Sequence, residues 1–327
     1  MKKLLSLVVA LALVLSCSAA LASESVTLVY AEVNPIDSLM GQTAQVFKEK
    51  VEELTNGSVT VDIQASGVLG DEAAVLDTIM MGGDTVDIAR VATFSMTNYG
   101  VKKTVLLSVP YTFTGREHFW AFAGSELGTE FLNEDNDLGA KGLFYVEEGF
   151  RHFFFKDAVA GIDDLAGKKL RVSNDPIMTG MVNGLKANPT VVAFGELYQS
   201  LSSGVVDGAE QPIVNYQSNA FHEVAPYMLL DGHTLGCAEV IITDSAWGKL
   251  SAEQQEAVIE AGKAASEFNA AKSAEIEAQC MEELKAAGVT FVDVADKAVW
   301  QEACADIISQ YTEGLEAEYQ AIQDMAK

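Results

Sequence analysis

The order of strand-like and helix-like segments most restricts the fold of this 327-residue chain. An apolar, β-branched run at residues 26–33 precedes a segment of helical spacing at 47–54, and an alternating run follows at 58–65. A second helical segment then leads to a strand, "VDIAR". The same order returns from residue 168, where helices separate the strands "KLRVS", "TVVAF" and "VVDGAE". Such alternation is typical of parallel α/β sheets, so two α/β lobes with a cleft between them are predicted.

A long helix is predicted in the last third of the chain. Ser251 and Gln254 have the spacing of a capping box, and no proline interrupts the segment up to about Ala287. At 1.5 Å per residue such a helix is roughly 50 Å long, which exceeds the width of one small lobe. We therefore expect it to run across both lobes. A strand, "VTFVDV", and a last helix from about Asp296 are predicted to follow.

The amino terminus has the features of a secretory signal peptide. Lys2 and Lys3 precede an apolar run at residues 4–15, and an A-x-A cleavage sequence follows. We therefore predict that residues 1–22 are removed and that the mature chain is exported to the periplasm. Cys17 lies in a partial lipobox, which leaves a lipoprotein as the alternative.

Charge and motif content exclude several classes of function. The chain carries 21 Lys and Arg against 47 Asp and Glu, a formal net charge of -26 that repels nucleic acid and anionic lipid. The sequences G-x-S-x-G, H-E-x-x-H, G-x-x-x-x-G-K-[ST] and G-x-G-x-x-G are all absent. The four histidines lack ligand spacing, and the cysteines form no C-x-x-C. We expect no enzyme activity, metal or cofactor. Whether Cys280 and Cys304 form a disulfide is left open by the sequence.

Arg171 is the first candidate for ligand binding. It lies near the end of the strand "KLRVS", and ligands of open α/β sheets bind at the carboxyl ends of strands. An arginine there can hold a carboxylate through two parallel charge-assisted hydrogen bonds. The long-range surface charge does not prevent this, because it is screened within roughly 10 Å. The alternative is a salt bridge between Arg171 and a surface acid.

Five further polar or aromatic residues are weaker candidates. Arg151 opens a second apolar strand in "EEGFRHFFF", with the same salt-bridge alternative. Phe194 offers a stacking surface but would equally suit a core. Gln211 and Asn215, in the turn "GAEQPIVNY", can order ligand hydroxyls or cap a helix. Glu72 begins a helix, where the helix dipole favours an acid in any case.

Several segments together resemble the solute-binding proteins of tripartite ATP-independent periplasmic (TRAP) transporters, of the DctP type. They are "GVLGDEAAVLD", "SVPYTFTGREHFWAF", "EEGFRHFFFK", "IDDLAGKKLRVSNDP", "FGELYQSLSSGVVDGAEQP" and "FHEVAPYMLLDGH". The resemblance covers nearly the whole mature chain. It implies an α/β, two-lobed periplasmic-binding-protein-like fold with a cleft between the lobes and a long helix spanning both. It also implies discontinuous lobes, with lobe I at 23–148 plus about 237–276 and lobe II at 149–236 plus about 277–327.

The resemblance also implies roles for single residues. Arg171 would clamp the ligand carboxylate, Arg151 would be a second contact, and Phe194 would pack on the ligand. Gln211 stands where the family usually has asparagine, and Ala73 where many relatives have arginine. The run "RVSNDP", with Asp175 close to Arg171, resembles that of family members that take hydroxylated acids, because a carboxylate can accept hydrogen bonds from sugar hydroxyls.

The expected ligand is therefore a sugar acid such as a hexuronate, with a C4-dicarboxylate or another carboxylate as the alternative for the same receptor. The expected partners are this small organic acid and the TRAP membrane permease subunits, with no nucleic acid and the receptor itself a monomer. Two hypotheses from different functional classes stay open, namely a secreted enzyme acting on uronic acids and a receptor domain for a signalling partner.

Overall fold

The computed structural model describes residues 25–294 and 296–326, so the predicted signal peptide and Cys17 lie outside the described residues. The strands are β1 (Val26–Ala31), β2 (Val59–Gln64), β3 (Ile88–Ala92), β4 (Ala140–Phe155), β5 (Lys169–Val172), β6 (Asn188–Val191), β7 (Gly208–Pro212), β8 (Tyr227–Leu230), β9 (Thr234–Thr243) and β10 (Thr290–Asp293). The helices are α1 (Leu39–Leu54), α2 (Glu72–Met80), α3 (Arg116–Ala123), α4 (Glu126–Leu132), α5 (Pro176–Gly184), α6 (Leu197–Ser203), α7 (Ile213–Ser218), α8 (Asp244–Trp247), α9 (Ala252–Ala286), α10 (Lys297–Ala303), α11 (Ala305–Thr312) and α12 (Glu316–Gln323).

One continuous sheet links the two lobes. Its strand order is β2-β1-β3-β9-β4-β7-β5-β6, and β8 pairs with both β4 and β10. Strands β1, β2 and β3 are parallel in the first half, and β5, β6 and β7 are parallel in the second. The two predicted parallel units are therefore present, and the antiparallel pair β4 and β9 joins them. The predicted α/β class with two lobes is confirmed.

Strand β4 passes from one half of the sheet to the other through a bulge. Its pairing with β9 shifts register between Glu147 and Phe150, and Gly149 has a φ of 94°. This positive φ favours glycine, and an added Cβ would also lie 2.3 Å from the Glu277 carboxylate. The expectation that a new strand opens at Arg151 is wrong. The bulge accommodates the polar residues inside one 16-residue strand.

The predicted long helix is α9, and it begins with the expected capping box. The Gln254 backbone N–H donates to Ser251 Oγ at 3.3 Å, and the Ser251 N–H donates to Gln254 Oε1 at 2.9 Å. The helix packs on β4, on α1 from the first half and on α7 from the second. At Gly262 an added Cβ would lie 2.7 Å from the Phe144 ring, so helix and sheet approach closely there. The helix spans both lobes, as expected.

The carboxyl terminus forms three short helices, where one was predicted. Cys304 ends α10, and Gly314, with a φ of 80°, separates α11 from α12. The last of these helices returns to the first half of the molecule, where His118 Nε2 donates to the carbonyl of Ile322 at 2.6 Å. The cysteines Cys237, Cys280 and Cys304 are buried free thiols, so the Cys280–Cys304 disulfide is not formed. Among the described helices, none combines the length and the apolar character that a bilayer crossing requires.

Candidate functional site

A cavity of about 660 Å³ opens where the strands of both halves end. Its walls include the residues that follow the carboxyl ends of five strands, namely Asn34, Phe94, Asn174, Phe194 and Asn215, after β1, β3, β5, β6 and β7 respectively. This is the edge at which open α/β sheets bind ligands. The volume lies within the roughly 300–1,000 Å³ typical of small-molecule sites.

The structure brings six of the seven candidate residues to this cavity: Glu72, Arg151, Arg171, Phe194, Gln211 and Asn215. Asp175 does not line it. The carboxylate of Asp175 caps α5, where Oδ1 accepts from the Met178 N–H at 2.8 Å, and Pro176 occupies the first helical turn. Burial raises the pKa of Asp175 to about 6. Oδ1 serves the cap, while Oδ2 is buried and has no hydrogen-bond partner among the described residues.

Arg171 is buried in the cavity wall, with 1% of the residue exposed. Its Nε donates to the carbonyl of Val192 at 2.9 Å, and its guanidinium carbon lies 5.9 Å from the centre of the Phe194 ring. Its Nη1 is buried and has no hydrogen-bond partner among the described residues. Burial lowers the pKa of Arg171 to about 10. The guanidinium remains charged at neutral pH, and burial opposes this charge more than the carboxylate of Glu210 favours it.

The other three arginines of the chain all have carboxylate partners. Arg90 pairs with Glu32 at 2.7 Å and with Glu72 at 2.8 Å. Outside the cavity, Arg116 contacts two carboxylates, one at 2.8 Å and one at 2.7 Å. Arg151 pairs with Glu210, whose Oε1 accepts from Nη2 at 2.9 Å. Within the described part of the chain, Arg171 alone lacks a carboxylate at salt-bridge distance.

Arg151 is held by a second layer of buried charge. Glu210 lies 3.5 Å from Nε2 of His233, and Nδ1 of His233 lies 2.5 Å from the Asp231 carboxylate. Burial alone would lower the pKa of His233, but Asp231 and Glu210 together raise it to about 9. Burial likewise opposes ionisation of Glu210, but Arg151 and His233 lower its pKa to about 2. The network fixes Arg151 in place and leaves little of its charge unbalanced.

Sequence reasoning missed four charged residues of the cavity, namely Asp71, Asp77, Arg90 and Glu148. Arg90 ends the strand "VDIAR", so the strand-end rule that identified Arg171 would have identified it too. Glu148 carried no such signal. Its neighbour Glu147 turns away to Arg116, while Glu148, beside the bulge at Gly149, lines the cavity.

Two asparagine contacts join the halves beside the cavity. Asn98, after β3, donates from Nδ2 to the carbonyl of Asn174, after β5, at 2.6 Å. Asn219, after α7, donates from Nδ2 to Oδ1 of Asn34, after β1, at 3.3 Å. Each contact connects a segment of one half with a segment of the other, so both depend on the relative position of the lobes.

Comparison with known proteins reveals a family and solved structures similar to this chain. The family model for bacterial extracellular solute-binding protein, family 7, matches residues 30–314. The C4-dicarboxylate-binding periplasmic protein DctP of Rhodobacter capsulatus is 26% identical over 316 residues, which are 96% of this chain and 94% of that protein.

Two crystal structures of TRAP periplasmic solute-binding proteins are similar over most of the chain. One, from Pseudomonas putida F1 with bound D-glucuronate, has a TM-score of 0.87 and 28% identity, covering 91% of this chain and 97% of that one. The other, from a Bradyrhizobium species in complex with D-galacturonate, has a TM-score of 0.87 and 27% identity, covering 91% and 99%.

Proposed function

This chain belongs to family 7 of the bacterial extracellular solute-binding proteins, and on that premise we propose that it is the receptor of a TRAP transporter. In this proposal the receptor captures an organic acid by lobe closure and delivers it to a membrane permease. The two-lobed fold, the cavity between the lobes and the matched family support it.

The observation that carries the proposal is the uncompensated guanidinium of Arg171. A buried charge without a partner is costly, and proteins normally pair such charges or coordinate them. Arg171 faces a cavity large enough for a small molecule, so a ligand carboxylate is the partner that its geometry suits. We assign Arg171 as the carboxylate clamp, with Phe194 as the surface on which the ligand packs.

The remaining cavity residues are proposed to fix the ligand's orientation. Asn215 has a buried side-chain oxygen without a hydrogen-bond partner among the described residues, and Gln211 lines the same wall. Arg151 and Glu72 each form an ion pair with another side chain of the protein. We propose that these ion pairs hold both residues in position at the cavity wall.

Closure follows from the position of the cavity. Arg171, Gln211 and Asn215 come from the second half of the sheet, and Glu72 comes from the first. A ligand that touches both walls binds the closed state better than the open one and shifts the population toward it. We propose lobe I as residues 23–148 plus about 237–276, and lobe II as 149–236 plus about 277–327.

The favoured ligand is a sugar acid of the hexuronate type. Asp175 does not line the cavity, so its contribution to this preference stays a prediction. The support comes from the similar structures that hold D-glucuronate and D-galacturonate. The C4-dicarboxylate alternative is favoured by the resemblance to the Rhodobacter capsulatus protein.

The proposal extends to location and partners. The receptor is periplasmic after removal of residues 1–22, acts as a monomer, and contacts the acid and the permease subunits but not nucleic acid. It assigns no catalytic step to the chain. Product formation from uronates by the purified protein would overturn that part of the proposal, and stable capture of a signalling partner would favour the signalling alternative.

A thermal-shift screen tests the receptor function directly. Sugar acids, dicarboxylates, keto acids and amino acids are compared at equal concentration. A ligand present at 100 times its Kd stabilises the folded state by about 2.7 kcal/mol, so a true ligand raises the melting temperature clearly above the others. We expect an organic acid to give this shift. A flat response across all acids would refute the proposal.

A further inference from the structure

Glu148 places a buried carboxylate at the cavity wall. Next to the bulge at Gly149, Glu147 pairs with Arg116, which lies outside the cavity, whereas Glu148 lines the cavity. Glu148 is 2% exposed and lines the cavity. Its carboxylate is therefore part of the surface that a bound ligand meets.

Glu148 forms two ion pairs, and one of its oxygens has no hydrogen bond. Its Oε1 lies 3.1 Å from Nη1 of Arg90 but makes no hydrogen bond with any described residue, and its Oε2 lies 3.7 Å from Nη1 of Arg151. Both arginines have shorter contacts with other carboxylates, Arg90 with Glu32 at 2.7 Å and Arg151 with Glu210 at 2.9 Å. A buried oxygen without a hydrogen bond is costly, and a ligand donor would satisfy it.

The charges of the lining leave room for one ligand carboxylate. Among the described lining residues the cations are Arg90, Arg151 and Arg171, and the first two are already paired with protein carboxylates. The lining also carries four acids, Asp71, Glu72, Asp77 and Glu148. A second carboxylate on the ligand would therefore lie in a wall of like charge, whereas a hydroxyl there could donate a hydrogen bond.

We propose that Glu148 is a specificity-determining residue, which accepts a hydrogen bond from a ligand hydroxyl and repels a second ligand carboxylate. This inference rests on the proposed receptor function and narrows its ligand class to hydroxylated monocarboxylic acids. Arg171 binds the carboxylate of the ligand, and Glu148 favours a hydroxyl over a second carboxylate elsewhere on the ligand.

The test compares D-galacturonate and D-glucuronate with succinate by titration calorimetry, in the wild type and two variants. Glu148→Gln keeps the shape and removes the charge. We expect it to weaken hexuronate binding roughly tenfold, because a hydrogen bond to a charged acceptor is lost, and to strengthen succinate binding roughly tenfold. Glu148→Asp keeps the charge and withdraws the oxygen, so it should weaken hexuronate binding while still excluding succinate. Glu275→Gln is the control, because Glu275 also pairs with a cation, Lys272, but does not line the cavity.

Each result separates this inference from the receptor function. If the wild type binds hexuronates and the succinate-to-hexuronate ratio is the same in Glu148→Gln, the role of Glu148 is refuted and the receptor function stands. A wild type that prefers succinate refutes it in the same way. If Glu148→Gln does not fold, Glu148→Asp decides, since wild-type affinity for both acids would overturn the inference. A wild type that binds no organic acid refutes the receptor function and the inference together.

Discussion

Replacing Arg171 with methionine separates binding from folding. Arg171→Met keeps an unbranched side chain in the cavity wall and removes the guanidinium, which has one hydrogen bond, to the Val192 carbonyl, and no carboxylate partner among the described residues. The ligand carboxylate then loses the group that compensates its charge. Truncating one member of a buried, hydrogen-bonded charge pair costs about 2–5 kcal/mol, which corresponds to a roughly 30- to 4,000-fold weaker Kd.

The same substitution should leave the ligand-free protein at least as stable. Burial lowers the pKa of Arg171 from 12.5 to about 10, so holding the charge in the fold costs on the order of 3 kcal/mol. Methionine removes that cost, and the lost hydrogen bond to Val192 offsets about 1 kcal/mol of the gain. We therefore expect the free energy of unfolding without ligand to be unchanged or to rise by up to about 2 kcal/mol.

Calorimetric titration and urea unfolding of the same preparations measure both effects. Arg171→Lys keeps the charge but not the two-pronged geometry, so its affinity should fall between the wild type and Arg171→Met. Lys263→Met removes an exposed cation from α9 and serves as the control. The reasoning is refuted if Arg171→Met binds the acid as tightly as the wild type. It also fails if the ligand-free variant is destabilised by several kcal/mol, because the guanidinium would then be a structural group.

Two further substitutions test neighbouring parts of the site. Asp175→Asn keeps the helix cap and removes the carboxyl group, whose pKa is raised from 3.8 to about 6. Because the folded state favours the protonated carboxyl, this group stabilises the fold fully below about pH 4. The stabilisation is lost as the pH rises through 6. Urea unfolding between pH 4 and 7 should show a wild-type stability that falls by up to about 3 kcal/mol relative to the variant, and parallel curves would contradict the assignment. Asn98→Ala removes the side-chain donor to the Asn174 carbonyl, a hydrogen bond that joins the two halves. The ligand affinity measured by calorimetry should therefore fall about 2- to 10-fold. An unchanged Kd would show that this hydrogen bond does not favour closure.

The features predicted correctly from the sequence are those that local chemistry determines. The capping box at Ser251 and the absence of proline determine where α9 begins and how far it extends, because both act within a few residues. The position of Arg171 at the cavity follows from the known geometry of strand ends in open α/β sheets, whereas its role as the carboxylate clamp is a proposal. The same rule applies to Arg90, which ends the strand "VDIAR" and lines the cavity but is not among the residues predicted from the sequence.

The features that were missed depend on distant contacts. The bulge at Gly149 lies against Glu277, more than a hundred residues away in sequence, and Glu148 beside it lines the cavity. Asp175 was placed beside the ligand because it lies close to Arg171 in sequence. The Asp-Pro pair that begins α5 was a stronger local signal, for a helix cap.

A crystal structure with the tightest-binding acid of the thermal-shift screen tests the central claim most directly. The account predicts that the ligand carboxylate makes two hydrogen bonds of about 2.7–2.9 Å to the Arg171 guanidinium, with the lobes closed around it. A carboxylate bound elsewhere, with Nη1 of Arg171 still lacking a partner, would contradict it.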